Sequence, residues 1–321
     1  MRIIDMHCDT ITKLYDNQKE LFDNDCHISI KKMLDADYML QCFAVFVNLK
    51  ETESPYQTCL NYIAHFKKEM ENNKEYIKQV YCYDDVIKNI EDNMMSALLT
   101  VEEGATIEGD IKKLKHFYDS GVRMLTLTWN FENEIGYPNI MSKPENWKEV
   151  TDKGLTDFGK EVIKEMNRLG MIIDVSHGSD KLFYDVIELS RKPIVASHSN
   201  SREVHYCPRN LTDDMILKLK ENGGIVGINY CMDFISKETD INQIPMIVEH
   251  IKKIVKVGGI ETVALGSDFD GIKTPNGLSD CSKINLLTDA LRKEGFSKED
   301  IDQIYYKNFL RIFNENCKNC K

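Results

Sequence analysis

The sequence predicts an α/β fold, a (β/α)8 barrel of the TIM type, and three observations support this prediction. The chain has 321 residues, a length that one such barrel commonly reaches. Short β-branched and apolar runs alternate with amphipathic helical patterns, as expected for a parallel sheet covered on both faces. Five of these runs end directly before a residue that can bind a divalent metal ion. The rim where the strands end is where such barrels build their sites.

Eight runs have the length and composition of buried parallel strands. They cover residues 2–6, 42–47, 96–101, 122–128, 171–176, 193–197, 225–230 and 262–267. Capping residues define helices in the intervals between them. Thr156 is a suitable N-cap for a helix that ends at Gly170. Ser297 and Asp300 have the spacing of a capping box for the last helix.

The whole chain, residues 1–321, is expected to form one barrel domain. Two long segments rich in Asn, Asp, Lys and Glu interrupt the alternation after the first and fourth strands, at residues 10–41 and 129–154. Loops of this length usually carry or cover a site. We therefore expect both insertions at the rim.

Composition excludes several classes of partner. The net charge of −11 argues against a nucleic-acid partner, which needs a basic face. No run approaches the ~20 apolar residues that span a bilayer, and no secretory leader is visible. Ten cysteines without an export signal indicate reduced thiols rather than a disulfide framework. We expect a cytoplasmic protein that binds neither nucleic acid nor membrane.

The first strand leads into two residues that can bind metal. His7 and Asp9 are separated by one residue, so both point to the same side of an extended strand, toward the barrel mouth. Cys8 between them points the other way. Imidazole and carboxylate together suit zinc or another first-row divalent ion. Alone, this pattern is weak.

Three further strand ends carry metal-binding residues, namely Glu102, His177 and His198. Any one histidine is more often a satisfied core or rim residue. Together, five such residues at strand ends indicate a binuclear hydrolase, in which two ions activate water and polarise a carbonyl. The other five histidines fall in helical patterns or loops and are assigned to the solvated surface: His27, His65, His116, His205 and His250.

Two more residues suggest chemistry at the same rim. Asp268 ends the last strand, where a carboxylate can act as general base and then as general acid. Asp270, before Gly271, fits a turn-forming role better. Arg209 lies in the loop after His198, and a guanidinium can bind a substrate carboxylate through two hydrogen bonds. Its position alone is also typical of an ordinary surface arginine.

Nine short motifs in order along the chain match one known family: Asp5–Asp9, Val101–Gly104, Arg123–Thr128, Gly154–Gly159, Ile173–His177, Ser197–Ser199, Arg209–Leu211, Gly266–Gly271 and Asn308–Phe313. On these motifs the chain resembles the membrane dipeptidase (renal dipeptidase) family of zinc peptidases. The resemblance covers essentially the whole chain.

The resemblance implies a dipeptidase with two zinc ions that hydrolyses dipeptides through a metal-bridging hydroxide and tolerates a D-residue on the C-terminal side. By position, His7 and Asp9 would hold one ion, His177 and His198 the other, and Glu102 would bridge them. Glu102 is preferred to Glu103 because the family's ligand directly follows the valine. Some members open β-lactam rings, and the family suggests a homodimer.

The resemblance also implies roles for the residues that contact the substrate. Asp268 matches the proton-transfer carboxylate, and Arg209 the anchor of the substrate carboxylate. One position departs from the mammalian members, which carry a histidine where this chain has Trp129. An indole donates one hydrogen bond but cannot become a cation. We therefore expect Trp129 at the substrate site, with a substrate preference unlike that of the mammalian enzymes.

Two alternatives remain. Another binuclear amidohydrolase or deaminase would typically begin with His-x-His, whereas this chain has His7-Cys8-Asp9. A non-catalytic metal-binding or peptide-binding barrel would be expected to have lost a ligand or Asp268, and all are present. The terminal Cys317-x-x-Cys320 lies in a polar tail, which we expect to be disordered.

Overall fold

Eight parallel strands form a closed barrel in the protein, here a computed structural model that describes residues 2–139, 152–238 and 242–317. Nine strands are present in these ranges: β1 (Ile3–Asp5), β2 (Tyr38–Phe46), β3 (Ile77–Gln79), β4 (Met95–Glu102), β5 (Val122–Thr126), β6 (Ile172–Asp174), β7 (Val195–Ser199), β8 (Ile225–Ile228) and β9 (Val263–Leu265). The barrel order is β1-β2-β4-β5-β6-β7-β8-β9, and β9 pairs with β1 to close it. The predicted fold is confirmed.

Each predicted strand has a counterpart, but two details differ. β3 was not predicted, and it pairs only with the first residues of β4. β2 begins at Tyr38 rather than at residue 42, so the insertion after β1 ends before its predicted limit at 41. Gln41 explains this error, because it is a polar residue that is fully buried within the strand. Its amide donates to the backbone oxygens of Asp5 and Cys42.

Helices cover the outside of the barrel and occupy the long connections. They are α1 (Thr10–Asp16), α2 (Ile30–Asp35), α3 (Pro55–Asn72), α4 (Tyr83–Glu91), α5 (Ile111–Asp119), α6 (Asp157–Leu169), α7 (Asp180–Leu189), α8 (Asp213–Asn222), α9 (Met232–Ile235), α10 (Ile244–Gly258), α11 (Ile284–Lys293), α12 (Lys298–Asp302) and α13 (Asn308–Asn316). The first insertion contains α1 and α2. Much of the second, 129–154, lies outside the described residues.

The predicted helix ends are confirmed in detail. The hydroxyl of Thr156 accepts a hydrogen bond from the backbone N–H of Gly159 at the start of α6. Gly170 ends that helix at φ 79°, a left-handed conformation that glycine adopts without a steric penalty. Ser297 and Asp300 form the capping box of α12.

The barrel interior is filled near the N-terminal ends of the strands. Residues such as Ile4, Leu98 and Ile225 pack there against Phe309 and Phe313 of α13 in one buried cluster. Because side chains and α13 fill this end, the C-terminal rim is where a site can open.

The cysteines correct two expectations. Cys317 belongs to the buried cluster under the barrel, and its thiol donates to the backbone oxygen of Gly170, so the disordered tail predicted from residue 317 is wrong at this position. Cys320 lies outside the described residues. Eight cysteines of the described ranges are free thiols, as expected, but Cys82 is disulfide-bonded. No helix in these ranges is long and apolar enough to cross a membrane.

Candidate metal centre and active site

The barrel brings together all five predicted metal-binding residues and Asp268. Each lies at the C-terminal end of a strand, because parallel strands end on one rim. All six side chains are buried: His7, Asp9, Glu102, His177, His198 and Asp268.

Glu102 lies at the centre of this group. One of its oxygens, Oε2, is 3.3 Å from Nε2 of His7. The other, Oε1, is 3.1 Å from Nε2 of His177 and 3.6 Å from Nε2 of His198. Each carboxylate oxygen therefore faces a different histidine group, which is the arrangement a bridging ligand requires.

Asp9 and Asp268 lie on the His7 side of Glu102. Nε2 of His7 is 3.7 Å from Oδ2 of Asp9 and 3.9 Å from Oδ1 of Asp268. Two sets of three residues have ligand atoms within 4.8 Å of one another, and His7 belongs to both: His7, Glu102 and His198, and His7, Asp9 and Asp268.

The hydrogen bonds of the other two histidines assign their tautomers. Nδ1 of His177 is 3.0 Å from Oδ1 of Asn130, an acceptor, so the imidazole carries its proton on Nδ1. Nδ1 of His198 is 2.7 Å from the hydroxyl oxygen of Ser197, which itself donates to Asp174. His198 must therefore also donate from Nδ1. Both Nε2 atoms present lone pairs.

These lone pairs face each other. Nε2 of His177 is 3.0 Å from Nε2 of His198, with Oε1 of Glu102 beside both. Nε2 of His7 and Oδ1 of Asp9 are buried and have no hydrogen-bond partner among the described residues. Converging lone pairs and unsatisfied buried acceptors are unfavourable unless a cation lies between them. Imidazole and carboxylate donors in this arrangement fit zinc or another first-row divalent ion.

Burial shifts the pKa values of these metal-binding side chains and of Asp268. It raises the pKa of Glu102 to about 8 and the pKa of Asp268 to about 7. It lowers the pKa of His177 and of His198 well below the usual value. Burial would also lower the pKa of His7, but the carboxylates of Glu102 and Asp9 outweigh it and raise that pKa. A divalent cation favours ionised carboxylates and neutral imidazoles, so it opposes the shifts of Glu102, Asp268 and His7.

Arg209 is not the surface residue that its position suggested. Its side chain is buried, and Nη2 donates to the backbone oxygen of His198 at 3.0 Å. The guanidinium lies over the ring of Phe234 at 5.3 Å. Nε of Arg209 is buried without a hydrogen-bond partner in the described part of the chain. The structure thus places its positive charge directly behind the metal-binding residues.

Trp129 lies beside the metal-binding group, on the wall of the cavity. Its ring centroid is 4.8 Å from that of Phe46, 5.5 Å from that of Phe131 and 6.3 Å from that of His177. The cavity has a volume of about 540 Å³, which suits a small molecule. Its lining includes Asp9, Glu102, Phe46, Trp129, Asn130, His177 and Asp268.

Several residues that support the site were not found by sequence reasoning. Asn130 is hydrogen-bonded to His177, and Ser197 is hydrogen-bonded to both Asp174 and His198. The amide of Asn229 donates to Oδ2 of Asp268 at 2.9 Å. Ser197 precedes a predicted ligand and Asp174 belongs to a matched motif, so adjacency was the available signal for these two. Asn130 likewise directly follows Trp129, a residue predicted at the substrate site, whereas Asn229 had no such signal beyond its position directly after β8.

The remaining histidines give a mixed result for the surface assignment. His116 is exposed, and His27, His65 and His205 are partly buried. His250 is fully buried, so its assignment to the surface is wrong. Its ring joins the backbone N–H of Ser201 to the backbone oxygen of Ile235.

A parallel barrel whose C-terminal rim gathers imidazoles and carboxylates has the architecture of metal-dependent hydrolases. The chain matches the membrane dipeptidase family, peptidase family M19, over residues 1–320. It therefore belongs to this family and is an enzyme of the metallo-dipeptidase type, as the sequence resemblance implied.

Two of the curated relatives are named as dipeptidases. A Schizosaccharomyces pombe protein named as an uncharacterized dipeptidase is 33% identical over 301 residues, which cover 89% of this chain and 71% of that protein. Dipeptidase 3 of Mus musculus is 34% identical over 222 residues, which cover 69% of this chain and 44% of the mouse protein.

Solved structures show the same fold. A dipeptidase described as an M19 metallopeptidase superposes with a TM-score of 0.90 at 24% identity, covering 99% of both chains. A metallopeptidase from Rhodobacter sphaeroides, liganded with a phosphinate mimic of the dipeptide L-Ala-D-Ala, gives a TM-score of 0.88 at 22% identity, covering 98% of this chain and 99% of that one.

Proposed function

We propose that this protein is a zinc-dependent dipeptidase that binds two zinc ions at the barrel rim. The observation that carries the proposal is the meeting of Nε2 lone pairs of His177 and His198, 3.0 Å apart, beside Glu102. On the other side of Glu102, Nε2 of His7 and Oδ1 of Asp9 are buried and lack hydrogen-bond partners within the described ranges.

These distances support the ligand roles that the family resemblance implies. His7 and Asp9 would hold one ion, His177 and His198 the other, and Glu102 would bridge them. When bound, such ions lower the pKa of water and polarise the scissile carbonyl. Side chains of the protein carry out proton transfer and bind the substrate.

Asp268 is placed to move the proton. Asn229 holds its Oδ2, which leaves Oδ1 facing His7 and the ligand group at 3.9 Å. Burial raises the pKa of Asp268 to about 7 and a bound cation would lower it, so the position of Oδ1 beside the ligand group is what supports proton transfer. We propose that Asp268 accepts a proton from the attacking water and donates it to the leaving amine.

The substrate is a dipeptide with a free carboxylate. Arg209 supplies a buried positive charge behind the ligands, and its Nε–H has no partner among the described residues, which supports the role of carboxylate anchor that the resemblance implies. Trp129 and Phe46 form an aromatic wall on the cavity. Tolerance for a D-residue on the C-terminal side is supported by the L-Ala-D-Ala mimic bound to the Rhodobacter sphaeroides protein of the same fold.

The test is a panel of dipeptides, including L-Ala-L-Ala and L-Ala-D-Ala, assayed with metal-stripped and zinc-restored protein. We expect hydrolysis only after zinc is restored, with activity reaching its plateau at two ions per chain by elemental analysis. Hydrolysis by stripped protein, or none after zinc is restored, would refute the proposal. A plateau at one ion would refute the binuclear assignment alone.

A further inference from the structure

Two serines bind buried aspartates in the same way, each directly before a residue of the site. Ser197 donates from its backbone N–H and its hydroxyl to the two oxygens of Asp174, at 2.8 and 2.5 Å. Ser267 donates from the same two groups to the two oxygens of Asp5, also at 2.8 and 2.5 Å. All four residues are buried.

The two pairs differ in what the serine hydroxyl accepts. The oxygen of Ser197 is 2.7 Å from Nδ1 of His198. The oxygen of Ser267 accepts from the backbone N–H of Phe269 at 3.1 Å and is hydrogen-bonded to no imidazole in the described ranges. Only the first pair therefore connects a buried carboxylate to a histidine ring.

The carboxylate of Asp174 accepts several hydrogen bonds besides the one from the hydroxyl of Ser197. Besides both donors of Ser197, it accepts from the hydroxyl of Thr126 at 2.6 Å and from the backbone N–H of Ser176 at 3.0 Å. Hydrogen bonds to a carboxylate are shorter and stronger than neutral ones. The hydroxyl proton of Ser197 is thus committed to Asp174, and only lone pairs remain for His198.

We propose that Asp174 and Ser197 are positioning residues that hold His198 with its proton on Nδ1 and its Nε2 lone pair directed at the metal centre. The inference rests on the proposed function in taking His198 as a ligand. A carboxylate behind a metal-binding imidazole fixes the ring orientation and strengthens the ligand. Among the residues that the structure describes, Nδ1 of His177 contacts the neutral amide of Asn130 instead, so the two histidines are supported unequally.

The first experiment examines the tautomer in metal-stripped protein. Nitrogen-15 NMR of histidine-labelled protein distinguishes protonated from unprotonated ring nitrogens, and a His198→Gln variant assigns the signals. We expect a protonated Nδ1 for His198 in the wild type and in Ser267→Ala. In Ser197→Ala the signal should change to that of exchanging tautomers. An unchanged His198 signal in Ser197→Ala would overturn the proposal.

The second experiment measures zinc affinity by competition with a chelator. We expect Ser197→Ala to weaken zinc binding by about 10–100-fold, the usual effect of removing such a partner. Ser267→Ala deletes the equivalent hydroxyl contact to a buried aspartate and keeps the backbone contact, as Ser197→Ala does, so it controls for the loss of packing. An equal loss of zinc affinity in Ser197→Ala and Ser267→Ala would show a general packing effect and would overturn the proposal.

Two further variants keep the test decisive. Ser197→Thr retains the hydroxyl and should restore both the tautomer and the affinity. Asp174→Asn retains the shape of the acceptor and repeats the test should Ser197→Ala not fold, as judged by circular dichroism. A wild-type chain that binds no zinc would refute the proposed function. The tautomer of His198 would still show whether Asp174 and Ser197 position its ring.

Discussion

Glu102 and Glu103 are adjacent in sequence, but their carboxylates serve different parts of the molecule. Glu102 faces the histidines of the metal centre. Glu103 turns away at φ 100° and accepts from the backbone N–H of Ala105 at 2.8 Å and the amide of Asn133 at 2.6 Å. It also accepts from the backbone N–H of Trp129 at 3.3 Å. One carboxylate thus belongs to the site, and its neighbour anchors the loop that forms the cavity wall.

Substitution of each glutamate by glutamine should separate these roles. Glu102→Gln removes a ligand oxygen and should lower zinc affinity by more than the roughly 100-fold upper range seen for residues behind ligands. Glu103→Gln should retain two zinc ions but lower the free energy of unfolding by about 1–3 kcal/mol, because an amide N–H replaces a buried acceptor. Elemental analysis and urea unfolding measure the two effects. Loss of zinc only in the Glu103 variant would reverse the assignment.

Asp268→Asn tests proton transfer. We expect kcat to fall by about 10²–10⁴, the usual contribution of a general acid–base group, while zinc content stays at two ions per chain. Asn keeps the size of the side chain and its position beside Asn229. Asp157→Asn, at an exposed position on α6, serves as the control for removing one negative charge. If the Asp268 variant bound only one ion, Asp268 would be a ligand instead.

Trp129→Ala tests the aromatic wall. We expect KM for dipeptides with large apolar side chains to rise about tenfold, because about 1.4 kcal/mol of apolar contact is lost, while Gly-Gly changes little. Phe131→Ala is the matched control, since Phe131 packs on Trp129 but is absent from the described lining of the cavity. Steady-state kinetics across the panel decide the matter. An equal rise for every dipeptide would contradict selection by this wall.

The sequence predicted that the candidate metal-binding residues meet at one rim, because the barrel topology makes strand ends converge. His7 and Asp268 are at opposite ends of the chain, yet the closure of β9 on β1 brings their side chains to 3.9 Å. The same rule applies to Glu102, His177 and His198. Parallel strands present their last residues on one rim, so the pattern of strands alone predicts that these side chains converge.

Features that depend on contacts between distant segments could not be predicted in this way. Arg209 is buried because Phe234 and the C-terminal end of β7 contact it, and nothing near it in sequence indicates this. Gln41 is buried within β2 because backbone oxygens satisfy its amide. His250 was assigned to the surface from its helical pattern, but its ring is hydrogen-bonded to the backbone N–H of Ser201 and to the backbone oxygen of Ile235. Each is a polar side chain whose partners come from elsewhere in the chain.

The burial of His250 predicts a specific dependence of stability on pH. Burial lowers its pKa to about 4, and its Nδ1 must stay unprotonated to accept from the N–H of Ser201. Between pH 6.5 and 4 the unfolded chain therefore binds a proton that the folded chain does not. This contribution to stability is fully present above pH 6.5 and is lost as the pH falls, by about 2 kcal/mol at pH 5.

Urea unfolding at pH 7.5 and at pH 5 measures this contribution as a difference between variants. His250→Gln cannot titrate, so the free energy of unfolding should fall less between the two pH values than in the wild type, by the same ~2 kcal/mol. His116→Gln removes an exposed histidine and should keep the wild-type dependence. If the His250 variant kept the full dependence as well, the buried ring would be taking up its proton in the folded state, and the loss of stability at acid pH would have to come from other groups.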